Sequence, residues 1–141
     1  MMENHSFDNI AGYWDFHPDI DNLIHLKEPF CNPYSNPNWT VWGEPYSICA
    51  APNEGEVPFD DPDHDFAGTN YEIFQTYYPT KDSVPTMQGF VDRESARYGL
   101  NPGQSAFVIK AFDEKRTSTL VEIAENFVFF DRYVSTISLT I

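Results

Sequence analysis

Apolar positions near the C-terminal end recur at helical spacing. Leu120, Ile123, Ala124 and Phe127 fall at i, i+3, i+4 and i+7, one stripe of an amphipathic helix that Thr117 or Ser118 can cap. The continuous run Phe127-Val128-Phe129-Phe130 then predicts a buried strand leading into Asp131-Arg132-Tyr133. Upstream, Phe66, Tyr71 (or Asn70), Phe74 and Tyr77 predict a helix over 66–78 with one aromatic face, ended by Pro79. A further helix is expected from the Met87–Val91 block to Tyr98, with Gly99 as its stop. Pro102 opens a short helix through Phe112, with Phe107, Val108, Ala111 and Phe112 as its apolar side. At the opposite end Ser6 suits an N-cap, Asp8 and Asn9 the first turn, and Gly12 the stop after Ile10 and Ala11. Between Glu28 and Pro62 prolines recur too often for a long helix or a central strand. The pattern is therefore several helices, few strands and one long Pro-rich excursion over 28–62.

Composition narrows the function classes. The 141 residues suffice for one domain with one core, and 41% hydrophobic and 16% aromatic content argue against disorder. A formal net charge of -14 argues against a nucleic-acid partner and against a polybasic membrane patch, since both need Lys and Arg. No apolar run is long enough to cross a membrane, and polar residues follow Met1 and Met2 at once, so no integral membrane segment or signal peptide is visible. Cys31 and Cys49, the only cysteines, flank a Pro-rich segment. Their even number suits a disulfide in an oxidising compartment, worth roughly 3 kcal/mol for such a loop, and two separate thiols fit the sequence equally well. Structural zinc wants about four ligands, so these two alone do not make such a site.

Two stretches carry candidate chemistry. Glu3 and Asn4, just ahead of the Ser6 cap, would project at the mouth of a strand-to-helix junction, where α/β sheets place ligands. A carboxylate beside a neutral oxygen donor can hold a hard divalent cation, although a polar helix cap explains the same residues. The second stretch, Asp60-Asp61-Pro62-Asp63-His64-Asp65, sets four acids around one histidine. It lacks the Gly and terminal Glu of an EF-hand, and a solvated acidic loop is the plain alternative.

The opening Met-Met-Glu-Asn-His-Ser-Phe-Asp-Asn resembles the first motif of the phosphoesterase family of phospholipases C and acid phosphatases. Asp61 to Asp65, Met87 to Val91 and Leu120 to Tyr133 agree with later family blocks in order and spacing, with the fungal-type, non-haemolytic phospholipase C branch the best fit. The resemblance implies an incomplete alkaline-phosphatase-like α/β core, with residues 1–141 as the N-terminal part of a catalytic domain. Met1 and Met2 then read as the tail of a first strand. It further implies that Glu3 and Asn4 are metal ligands for a divalent metal ion of unspecified identity, in a site incomplete within this sequence. His64 falls on the family's active-site histidine, a contact to a substrate phosphate oxygen, and the resemblance favours a Cys31–Cys49 bridge. The expected substrate is a phosphate ester or phospholipid, and the full-length enzyme is expected to be secreted.

The resemblance breaks at the end. The family's strand leads to a Gly-Pro turn and a Pro-Asn-Arg motif preceded by a nucleophilic Thr or Ser. Here an atypical tail, 134–141, replaces it, and Thr140 stands near the nucleophile position without that turn. The expectation is a hydrolase of phosphate ester bonds represented by an inactive N-terminal fragment. The alternatives are a non-catalytic remnant and a small acidic binding module.

Overall fold

Ser6 caps the first helix as its neighbours predict. In the computed structural model, which describes residues 6–35, 46–53 and 61–132, the Ser6 hydroxyl accepts from the Asn9 N–H at 3.2 Å, and Asn9 Oδ1 accepts from the Ser6 N–H at 3.3 Å. This reciprocal cap starts α1 (Phe7–Ala11), and Gly12 ends it. The ribbon strands β1 (Cys31–Tyr34) and β2 (Tyr46–Cys49) follow, then the short β3 (Pro52–Asn53), α2 (Phe66–Phe74), α3 (Phe90–Tyr98) and α4 (Pro102–Ser105). The last elements are β4 (Ala111–Phe112) and α5 (Ser118–Asn126). No described helix is long and apolar enough to cross a membrane.

Among the described residues the chain divides into two compact units. The first joins 6–30, 50–53 and 110–132. Its core is Ala11, Trp14 and Val121, with Phe7, Ile10, Phe16, Leu120, Ala124 and Phe129 packed around them. Apolar burial of this kind is the main stabilising contribution. Trp14 also buries a polar atom, and its Nε1–H donates to Thr117 Oγ1 at 2.8 Å. The buried Asn22 amide donates to the carbonyls of Ala11 (2.8 Å) and Trp14 (2.9 Å), tying the turn after α1 to the helix end. Strands β3 and β4 pair in parallel, Pro52 opposite Ala111 and Asn53 opposite Phe112.

Three expectations change in the chain from Pro102 onward. The helix predicted from Pro102 through Phe112 stops early: α4 gives way to a single 3-10 turn, Ala106–Ile109, and Ala111–Phe112 pairs with β3 instead. Pairing with a distant segment outweighs a weak local helix preference. The core face of α5 is rotated, with Val121 buried and Ile123 and Phe127 exposed. Finally, Phe127–Phe130 forms no strand. Phe127, Val128 and Phe130 are exposed, and no described strand runs beside them to complete a ladder. Only Phe129 turns inward, its ring centroid 5.5 Å from Phe7 and 5.6 Å from Trp14.

The second unit joins 31–35, 46–49 and 61–109. Here the Pro-rich excursion contributes the antiparallel ribbon β1–β2, in which Cys31 faces Cys49 and Pro33 faces Ser47. Both strands are edges, so Pro33 removes no central ladder bond. Cys31 and Cys49 are joined by a disulfide. The fully buried Asn32 supplies the cap that Gly89 cannot: its Oδ1 accepts from the N–H groups of Phe90 (3.0 Å) and Val91 (3.4 Å) at the start of α3. Tyr34 donates from its hydroxyl to the Leu100 carbonyl at 2.9 Å, so ribbon and helix share a core of Tyr34, Ile48, Val91, Leu100 and Ile109.

Helix α3 ends as predicted at Gly99, whose φ of +67° suits glycine. Helix α2 departs from its prediction. Its buried residues are Gly68 and Glu72, whereas Phe66 is 66% exposed, and it ends at a left-handed Gln75 before Pro79 is reached. The aromatic face is thus not the packed one, because a polar cluster claims the opposite side of the helix.

Candidate functional site

That polar cluster surrounds the segment 61–65. Asp63, with no side-chain exposure, takes a bond from Arg93 Nε at 2.6 Å and a second contact from Arg93 Nη2, both on Oδ2. Arg97 Nη1 reaches its Oδ1 at 2.8 Å. The Asp63 N–H donates to Glu94 Oε1 at 3.1 Å. A buried carboxylate survives only when paired and hydrogen-bonded in this way. Asp65 caps α2 by accepting from the Gly68 N–H at 2.6 Å. That bond, followed by lesser contributions from Ala67 and the arginines, holds its carboxyl below the usual range.

Glu72, on the buried side of α2, is the other extreme. Burial first, then the Asp63 and Glu94 carboxylates, push it up to about 8, and its buried Oε1 has no hydrogen-bond partner among the described residues. At neutral pH it carries its proton.

His64 sits between these anchored acids with its side chain 48% exposed. Its Nδ1 lies 3.0 Å from the Pro62 carbonyl and 3.5 Å from Asp61 Oδ2. A carbonyl only accepts, so Nδ1 is the donor and Nε2 is the nitrogen left to meet a ligand. The acidic stretch is thus an exposed loop, as the plain reading of the sequence had it, except at Asp63, which is buried. Asp63 spends both oxygens on guanidinium groups, Asp65 spends one on a helix N-terminus, and no group of described residues is arranged to hold a metal ion.

Glu3, Asn4 and Thr140 lie outside the described residues, as do Tyr133 and the tail 134–141. Within the described part of the opening motif, Asp8 on α1 has its carboxyl raised by burial and by Asp21, against a lowering bond from the Leu23 backbone. From sequence, a helix is expected from the Met87–Val91 block to Tyr98, with no role given to Arg93 and Arg97 within it. The available signal was two arginines one helical turn apart in a chain with 8 basic and 22 acidic residues, a like-charged pair that a shared carboxylate would relieve.

The phosphoesterase family profile matches residues 1–141. This chain belongs to the phosphoesterase family. It is 27% identical over 139 residues to non-specific phospholipase C6 of Arabidopsis thaliana, covering 97% of this chain and 24% of that protein. It is 30% identical over 139 residues to non-specific phospholipase C1 of the same plant, again covering 97% and 24%. This phosphoesterase chain therefore spans about a quarter of the length of the curated relatives it matches.

Proposed function

We propose that this phosphoesterase chain carries part of the substrate site of a hydrolase of phosphate ester bonds, of phospholipase C type. The relatives' phospholipase C names and the family match support the reaction class. The observation that carries the site is the outward ring of His64, tethered at Nδ1 and presented through Nε2. With Nδ1 already donating, a bond from Nε2 to a phosphoryl oxygen requires the second ring proton. His64 then meets phosphate as an imidazolium, and the nearby Asp61 carboxylate balances its charge.

Glu3 and Asn4 offer oxygen donors for a divalent cation that, when bound, would supply the positive charge this acidic chain lacks around a phosphoryl group. Two donors fall short of the roughly six a hard cation takes, so the 141-residue chain by itself is a binding portion rather than a complete catalyst. The preferred substrate is a phospholipid.

Inorganic phosphate titrated into the chain, followed by the His64 ring resonances, tests this reading. The resonances should move on saturation, and His64→Asn should weaken binding about tenfold, the loss of one charge-assisted hydrogen bond. Equal phosphate affinity in both proteins would end the proposed role of His64.

A further inference from the structure

The side chains that grip segment 61–65 come from one face of one helix. Arg93, Glu94, Arg97 and Tyr98 stand at i, i+1, i+4 and i+5 of α3, a single face of a 3.6-residue repeat. Arg93 and Arg97 each take a different oxygen of Asp63. Glu94 takes the Asp63 N–H, and the Tyr98 hydroxyl donates to the Asp61 carbonyl at 2.8 Å. The same segment is held on its other side by α2. Asp65 caps that helix, and a Cβ at Gly68 would overlap the Asp63 carboxylate. The backbone is thus secured at Asp61, Asp63 and Asp65, on both sides of a half-exposed His64.

The arginines are themselves steadied. Arg93 lies over the Tyr77 ring, 5.5 Å from its centroid, with Nη1 3.3 Å from the Tyr77 hydroxyl, and Arg97 lies 5.0 Å from the Tyr98 centroid. Two guanidinium groups for one carboxylate exceed what neutralising Asp63 requires. A guanidinium on each oxygen does more, because it removes rotational freedom from the carboxylate and so from the residue beside it.

We infer that Arg93 and Arg97, with Glu94 and Tyr98, are positioning residues for His64: this face of α3 fixes the backbone on either side of the histidine and so sets which ring nitrogen is presented to phosphate. The inference rests on the reading of His64 as the phosphate contact. It goes beyond that reading by assigning the orientation of the ring to a helix about thirty residues downstream.

Long-range proton–nitrogen NMR of the His64 ring in the full 141-residue chain tests it, because the spectrum reads the ratio of the Nδ1–H to the Nε2–H tautomer. The Nδ1–H form should dominate in the unaltered chain under conditions where the ring is neutral. Arg93→Gln and Arg97→Gln should each lower the ratio about fivefold, the factor that one net hydrogen bond supports. Arg97→Lys, which keeps the charge without the planar guanidinium, should recover part of it. Tyr98→Phe removes a single hydroxyl from an exposed bond and should lower the ratio in the same direction, so the test holds even if an arginine variant fails to fold. An unchanged ratio in Tyr98→Phe and in every folded arginine variant overturns the inference. Phosphate added to the same samples separates the two claims. A ring that ignores phosphate in the unaltered chain removes the binding role, and the tautomer ratios still decide the positioning role.

Discussion

The Asp63 carboxylate opposes the ionisation of buried Glu72, while Asp63 itself is held by the guanidinium groups of Arg93 and Arg97. The asymmetry gives them different protonation states at neutral pH. Asp63 is the anion the arginines hold, and Glu72 is the neutral acid beside it.

This pair makes stability depend on pH with a definite sign. Glu72 rises from 4.5 to about 8 on folding, so between those values the folded chain holds a proton that the unfolded chain has released. Stability contributed by that proton is complete below 4.5 and is lost as pH rises through about 8. Glu72→Gln should therefore stabilise the chain at pH 7 by on the order of 3 kcal/mol and flatten its pH dependence across that window. Urea unfolding at several pH values measures both effects. A wild-type stability that stays level across the window, matched by the variant, would show that Glu72 ionises normally.

Gly68 carries a prediction of unusual sign. Alanine in place of glycine within a helix ordinarily stabilises by up to about 1 kcal/mol. At Gly68 the added Cβ would overlap the Asp63 carboxylate, so Gly68→Ala should instead destabilise by about 1–3 kcal/mol. The Asp63 ion pairs would also loosen. Chemical denaturation gives the sign directly, and a gain in stability would mean that segment 61–65 does not lie against α2.

Thr117 should matter more for its hydroxyl than for its place at the start of α5. Its side chain makes no cap bond there and instead accepts from buried Trp14. Thr117→Val keeps the shape and strands the indole N–H, which should cost about 1–3 kcal/mol. Thr117→Ser should keep most of the stability. Thermal melts of the two variants should separate accordingly, and equal melts would remove the Trp14 bond as a determinant.

Legibility in the sequence followed the range of the interaction. Ser6 with Asn9, Gly12 and Gly99 were readable because a cap or a left-handed turn is decided within a few residues. The Asp63 cluster was not readable, because its arginines are thirty and more positions away and nothing near Asp63 announces them. The aromatic side of α2 was misread for the same reason: Phe66 has a helical spacing, but Asp63 and α3 occupy the side that Gly68 and Glu72 face.

By itself the sequence determined where most helices begin, the acidic character of the chain and, through its motif blocks, the resemblance to phosphoesterases. Those properties are local or additive. Tertiary structure alone decided that Asp63 is buried, that Glu72 keeps a proton, that Phe127 to Phe130 makes no strand and that His64 presents Nε2. Each of these depends on which group stands opposite in space: a guanidinium, a like charge, a backbone carbonyl or, for Phe127 to Phe130, no described strand. Desolvation and hydrogen bonding act between neighbours in space, and periodicity along a chain does not specify those neighbours.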